Sequence, residues 1–360
     1  IFIKEFVNED KIGQIFRTLF KIIFVTLFIE LLGAIFIYLS VDNRLFATPT
    51  DQVQFAVFHS VSAFCNAGFS TLSAGLYDYR LREQYNLQLV IAWLVILGGI
   101  GFPVIFNLYQ SARHYLKGRT ARLLHQPPSS EWPAGTPGLH VNTKLILATT
   151  AILLGLGTVL FYVTERAGVL AGRSGYGLLV TAFFGSVTPR TAGFNTVDMA
   201  ALSRPTILFY LLFMWIGASP GSTGGGIKTT TFAIALLNAF SIARSKYRLE
   251  VFRREIPSES VRRAFAVMLL SFLVIGLAVF LVCLFDPGQD LIHIAFECFS
   301  AYATVGLSLN VTPELSDASK AVIMVTMYLG RVGTLTLLVA LSRTVGSLSY
   351  RYPTETVFIS

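Results

Sequence analysis

Three times along the chain a long apolar run is followed by a short apolar run, a glycine-bearing loop and a second long apolar run. This recurrence constrains the fold more than any other feature. Residues 15–40 are long and apolar, residues 52–70 are short and half-apolar, and residues 86–109 are long again. The second pass has residues 142–164, then 176–189, the loop RTAGFNTVDM, and 205–240, interrupted by GASPGSTGGGIK. The third has 262–285, 290–303, the loop TVGLSLN, and 319–345. Runs of about 20 apolar residues cross a bilayer, and runs of 10–14 read as re-entrant or buried. The period of roughly 110–120 residues is too long for a solenoid and suits tandem membrane units.

Composition agrees. Only 13% of residues are charged and 54% are hydrophobic, where soluble domains carry about a quarter charged. The net charge of +8 sits in short links, which favours the positive-inside rule over nucleic-acid binding. Arg113, Lys117, Arg119 and Arg122 form one basic link. Arg244, Lys246, Arg248, Arg253, Arg254, Arg262 and Arg263 dominate another. Asp286, Asp290, Glu314 and Asp317 lie in links with few bases, so the glycine loops enter from outside. The spacing of Cys65, Cys283 and Cys298 matches no metal site, and they read as small core residues. His59 and His293, on short helices, read as satisfied polar core residues. The fold class expected is therefore all-α and membrane-embedded. It divides into a unit over 1–125, a Pro/Gly-rich linker over 126–141, a unit over 142–248, a unit over 249–348 and a C-terminal tail over 349–360.

The three loops align as Asn66-Ala67-Gly68-Phe69, Thr191-Ala192-Gly193-Phe194 and Thr304-Val305-Gly306-Leu307. Each reads polar, small, Gly, bulky apolar. A dehydrated cation needs oxygens in place of its water shell, and backbone carbonyls supply them when successive residues turn toward one axis. Glycine admits the positive φ this requires. A single loop of this kind would read as an ordinary turn. Three in equivalent places read as the lining of a cavity, where irregular backbone is tolerated at membrane depth. The third loop comes close to the TVGYG potassium filter.

Residues 217–228 carry Gly217, Gly221, Gly224, Gly225 and Gly226 together with Pro220. Each interior Gly costs a helix about 1 kcal/mol and Pro about 3, so the segment is an intramembrane loop. Its polar groups, Ser219 and Lys228 among them, would be costly facing lipid. A phosphate-cradling loop needs Gly directly before Lys, and Ile227 intervenes here. Arg331 stands eleven positions after Lys320, about 17 Å along a helix, which places it near mid-membrane. Glu297 and Glu30 are the acidic groups considered as its partners.

RTAGFNT, GASPGSTGGGIKTTT, TVGLS and YLGRVGTLTL together resemble the TrkH/KtrB/HKT superfamily of potassium transporters. The resemblance covers nearly the whole chain. It implies tandem membrane–pore–membrane repeats, K+-channel-like, around a central pore. Three repeats are present here, matching the family's second to fourth. With Ile1 in place of Met, truncation of a first repeat is expected. The resemblance further implies K+ as transported ion at the twelve loop residues named above, and no cofactor. It implies a gating loop from Gly217 to Lys228 and a pore barrier at Arg331. The expected partners are a second copy of the chain and a cytosolic RCK-type nucleotide-binding ring (TrkA/KtrA-like). The expected location is a bacterial inner membrane. A sodium-conducting relative stays open as an alternative. An intramembrane enzyme finds no HExxH motif or paired aspartates in its support.

Overall fold

The computed structural model describes residues 12–123, 139–173, 175–246, 248–333 and 336. The chain is helical. Helix α1 (Ile12–Ser40) is followed by the short α2 (Pro49–Phe64), then α3 (Tyr85–Ile100) and α4 (Phe102–Leu123). The second stretch comprises α5 (Val141–Glu165), the short α6 (Gly175–Val187), α7 (Arg204–Trp215) and α8 (Thr229–Ala243). The third comprises α9 (Ser258–Phe285), the short α10 (Leu291–Tyr302) and α11 (Asp317–Val332). Helices α1, α5 and α9 are each long and apolar enough to cross a bilayer, and fewer than a third of the residues in their apolar windows are buried. On α1 the residues Phe20, Phe24 and Leu39 are each more than 70% exposed. An apolar helix with apolar side chains turned outward faces lipid rather than water, and the protein is a multi-pass membrane protein.

The sequence suggests one continuous span over 86–109. Instead the chain turns by 96° between α3 and α4. The hinge is Gly101, at φ +94°, a conformation costly for any side-chain-bearing residue. A Cβ there would also stand 2.6 Å from the Pro220 carbonyl oxygen. Pro103 then sits in the first turn of α4, where its missing N–H costs nothing. Helix α11 ends comparably at Gly333, φ +88°. Most of the remainder of the 319–345 run lies outside the described residues, as do the tail over 349–360 and most of the 126–141 linker. The basic link contains a small antiparallel pair, β1 (Glu250–Val251) with β2 (Arg254–Glu255). Its turn residues Phe252 and Arg253 are both left-handed, at φ +50° and +63°, as a two-residue hairpin requires.

Buried polar groups brace the helix ends. The Glu165 carboxylate is fully buried and accepts from Ser203 N and Ser203 Oγ, each at 2.8 Å, and from Thr206 Oγ1. It thereby ties the end of α5 to the N-terminus of α7, whose dipole favours a negative charge. At the C-terminal end of α9, the neighbouring Ser319 hydroxyl and hydrogen bonds from Ser316 N and Oγ hold the Asp286 carboxyl below its usual range. Close helix approach does the rest. A Cβ at Gly98 would run into the Phe64 carbonyl oxygen, and one at Gly330 into that of Tyr302. The ends of α2 and α10 therefore rest on bare backbone of α3 and α11. Forced overpacking costs roughly 1–3 kcal/mol. Gly330→Ala is accordingly expected to lower the apparent melting temperature by several degrees in a detergent stability assay. Gly155→Ala, at a position with nothing within 4 Å, is expected to leave it unchanged. Equal effects from the two would contradict the packing account.

Candidate pore loops and the loop beneath them

Each short helix stops just before its glycine loop, and the chain then adopts one backbone pattern three times. The first loop residue is left-handed, with Asn66, Thr191 and Thr304 at φ +51°, +66° and +53°. The glycine two positions on is left-handed too, with Gly68, Gly193 and Gly306 at +73°, +77° and +89°. The sequence signals the glycines. It does not signal the strained polar residues ahead of them, because Asn and Thr carry no obligatory local conformation.

The leading N–H groups of these loops turn back toward the short helices behind them. Ala67 N donates to Ser62 O at 2.8 Å, Val305 N to Ser300 O at 2.9 Å, and Gly193 N to Thr188 O at 3.3 Å. Donors turned back toward the helix leave carbonyl oxygens on the opposite side, as a cation-coordinating ring needs. The loops also converge. A Cβ on Gly68 would lie 2.6 Å from Ala192 O and 3.0 Å from the Gly193 Cα, and one on Gly193 would strike Val305 O. A Cβ on Gly306 would lie 3.9 Å from the Gly193 Cα. Gly193 thus stands between the other two. Its loop is the enclosed one, with Thr191, Ala192 and Phe194 fully buried. Leu307 is buried as well, whereas Phe69 is 69% exposed beside an apolar groove of about 450 Å³.

Side chains brace the outgoing half of each loop. Ser62 Oγ donates to Phe69 O at 2.8 Å, and Thr188 Oγ1 donates to Phe194 O. Two further braces share one position. His59 and Glu297 each stand seven residues before the first residue of their loops, and Ser70 and Ser308 four residues after it. His59 Nε2 meets Ser70 Oγ at 2.9 Å. Glu297 accepts from Ser308 Oγ at 2.5 Å, Leu309 N at 3.1 Å and Thr312 Oγ1 at 2.7 Å. The middle loop has Phe184 and Asn195 at the corresponding places. His59 is thus the satisfied core residue expected. Glu297, on sequence a candidate partner for Arg331, is a loop brace instead. The shared spacing from the loop is the signal that could have found it.

The 217–228 segment lies directly under these loops. Ile216 and Ile227 pair in parallel, with Ile227 N donating to Trp215 O at 3.2 Å and Ala218 N to Gly225 O at 3.2 Å. A Cβ on Gly224 would strike Thr191 Oγ1, and one on Gly225 would strike Thr304 Oγ1. Only bare backbone fits against the underside of those two loops. The segment is tied at its edges as well. Ser219 N donates to Gly99 O at 3.0 Å, Thr223 N to Gly98 O at 3.3 Å, and Thr223 Oγ1 to Phe64 O at 3.1 Å. Gly221 O receives Phe102 N at 3.0 Å. Lys228 Nζ donates to Gly224 O at 2.7 Å, and Arg331 Nη1 donates to Thr223 O at 2.6 Å. Neither Glu30 nor Glu297 pairs with Arg331. The Asn66 and Thr191 side chains, 3.0 Å apart, join the first loop to the second. With the Asn66 amide nitrogen turned to Val95 O and Ala63 O, Thr191 Oγ1 is the donor.

A multi-pass helical protein with glycine loops gathered about one axis and a pinned glycine segment beneath them has the architecture of a membrane cation-transport protein. The model of the TrkH family, described as a cation transport protein, matches residues 3–350, and the chain belongs to that family. It is 34% identical over 357 residues to the Ktr system potassium uptake protein B of Vibrio alginolyticus, covering 98% of this chain and 72% of that protein. It is 34% identical over 369 residues to the potassium/sodium uptake protein NtpJ of Enterococcus hirae, covering 100% and 75%. Its fold is similar to the crystal structure of the potassium transporter TrkH from Vibrio parahaemolyticus, with a TM-score of 0.71 and 20% identity over 93% of this chain and 66% of that one.

Loss of the Glu297 carboxylate would strand a hydroxyl, an amide and a second hydroxyl, and a buried unpaired group costs roughly 1–3 kcal/mol. Glu297→Ala is expected to lower the apparent melting temperature clearly, and Glu297→Gln, which keeps one acceptor oxygen, by less than half as much. Thermal unfolding of the two purified variants checks the order. An Ala variant as stable as the Gln variant would remove the brace.

Proposed function

We propose that this chain is a pore-forming subunit of a potassium uptake system. In this reading K+ crosses through carbonyl oxygens of Asn66–Phe69, Thr191–Phe194 and Thr304–Leu307. The single observation that carries it is the gathering of Gly68, Gly193 and Gly306, each left-handed and each in a loop whose leading N–H turns back toward its short helix. The names of the relatives add support, two of those compared being potassium transporters by name. The name of the Enterococcus protein includes sodium, so sodium conduction is the second reading. The family resemblance suggests that the family's first repeat would lie at the exposed Phe69 face, and a homodimer in a bacterial inner membrane. The word system in the relatives' name is in keeping with a regulatory subunit, for which a cytosolic nucleotide-binding ring of RCK type is the proposal.

Residues 217–228 act in this proposal as the gate. Lys228 and Arg331 both donate to carbonyls of this segment. They hold it under the loops and set a positive barrier in the path of the ion.

Rubidium uptake in a potassium-auxotrophic host tests the function, and absence of uptake by a well-expressed chain would overturn it. The potassium/sodium uptake ratio tests the filter. Gly193→Ser and Gly306→Ser are both expected to lower that ratio. The Gly193 change should act more strongly, since it adds a backbone collision to the strain of a positive φ. An unchanged ratio in both variants would remove the filter assignment. For the gate, Arg331→Ala deletes a charge and the bond to Thr223 O. Uptake is expected to rise several-fold with an unchanged ratio, and a well-expressed variant that transports no faster would refute the barrier.

A further inference from the structure

Arg190 has no role in the reading above, and its surroundings are anomalous. It follows Pro189 and immediately precedes Thr191, the first residue of the enclosed central loop. Its side chain is 91% buried, the complement of a 9% exposure. Its Nε has no hydrogen-bond partner, and neither does the buried Thr150 Oγ1. Both residues line one small cavity of about 20 Å³, together with Val95, Leu154, Gly99 and Ala218. No acidic residue lines this cavity, and among the described residues no carboxylate pairs with Arg190.

A guanidinium keeps its charge in a protein, and an unpaired ion at membrane depth is costly. The cavity has room for one small particle, since a single water needs about 10–15 Å³ by the same measure. A sulfate, a phosphate or a lipid headgroup is too large. The Arg190 guanidinium is a cation with donors only, which excludes a second cation, and the Thr150 hydroxyl can donate as well. A water molecule would satisfy the donors and leave the charge uncompensated. We propose that the Arg190–Thr150 cavity is a binding site for one small monovalent anion of the halide class, held by the Arg190 guanidinium and the Thr150 hydroxyl as the arginine's counterion. If the central loop coordinates a cation, the halide also cancels a positive charge standing directly behind it. That consequence rests on the potassium reading, and the binding site itself does not.

The test is equilibrium binding of ³⁶Cl⁻ to the purified full chain in nanodiscs by scintillation proximity, with gluconate keeping ionic strength constant. Saturable binding of about one ion per chain is expected, competed by bromide and not by sulfate. Thr150→Val keeps the shape and loses the donor. It is expected to weaken chloride about tenfold, the equivalent of a hydrogen bond to a charged group. Arg190→Gln is expected to abolish binding. Should the Gln variant fail to fold, the Val variant still decides. Absence of saturable chloride binding by monodisperse wild-type protein would mean that the cavity holds water only, and would overturn the site. Unchanged binding in both variants would put the ion elsewhere and overturn it equally.

Discussion

At membrane depth no water is available to satisfy a peptide group, so every N–H that leaves a helix must find a partner within the protein. The three glycine loops meet this demand for their leading N–H groups by sending them back toward the ends of the helices they have just left, as Ala67, Gly193 and Val305 do. The price of that solution is strain at two residues per loop, which only glycine bears without a steric cost. Its by-product is a set of carbonyl oxygens with no donor from the same loop. The rest of the structure follows from holding those loops still. Helices α2 and α10 press their last carbonyls onto Gly98 and Gly330, and Ser62, Thr188, His59 and Glu297 fix the outgoing strands from behind.

The same demand shapes the segment under the loops. Three successive glycines would ordinarily mean slack backbone. Here Gly224 and Gly225 lie against Thr191 and Thr304 too closely for any Cβ, and the segment's polar groups are shared among α3, α4, α8 and α11. A segment this well tied does not drift. Any movement of it would require several hydrogen bonds to exchange together, those from Arg331 and Lys228 among them. The right-angle break at Gly101 belongs to this arrangement, because the amide freed by the break, Phe102 N, is taken by Gly221 O.

Much of this architecture was legible in the sequence. The long–short–loop–long recurrence gave the element order, and the density of glycine in 217–228 gave the helix interruption. These are local signals, written in hydropathy period and backbone propensity. What was missed depends on residues far apart. The run 86–109 is apolar throughout, and Gly98, Gly99, Gly101 and Pro103 were its warning. Whether such residues bend a helix or merely pack in it is decided by the 217–228 loop, more than a hundred positions away. Glu297 was misread for a similar reason. A carboxylate on an apolar helix calls for a donor, but composition does not say whether that donor is a distant arginine or the serine eleven residues on.

The three loops are built alike, yet they are not electrically alike. The position just before each loop holds Cys65, Arg190 and Ala303, and the position after the packing glycines of α3 and α11 holds Gly99 and Arg331. At each of these two levels a single arginine replaces a small neutral residue. Their environments separate their roles. Arg331 is exposed and reaches a carbonyl oxygen of the loop below the glycines, so its charge is solvated on one side. Arg190 is enclosed, with its Nε unbonded and no acid to meet it. In a low-dielectric site a charge must be compensated within a few ångströms, since Coulomb energy there is several-fold stronger than in water. An arginine that faces the path can serve as a barrier without a counterion. One buried behind a loop cannot, because little solvent reaches its charge, and if the loop coordinates a cation as proposed its field would also fall on that ion permanently.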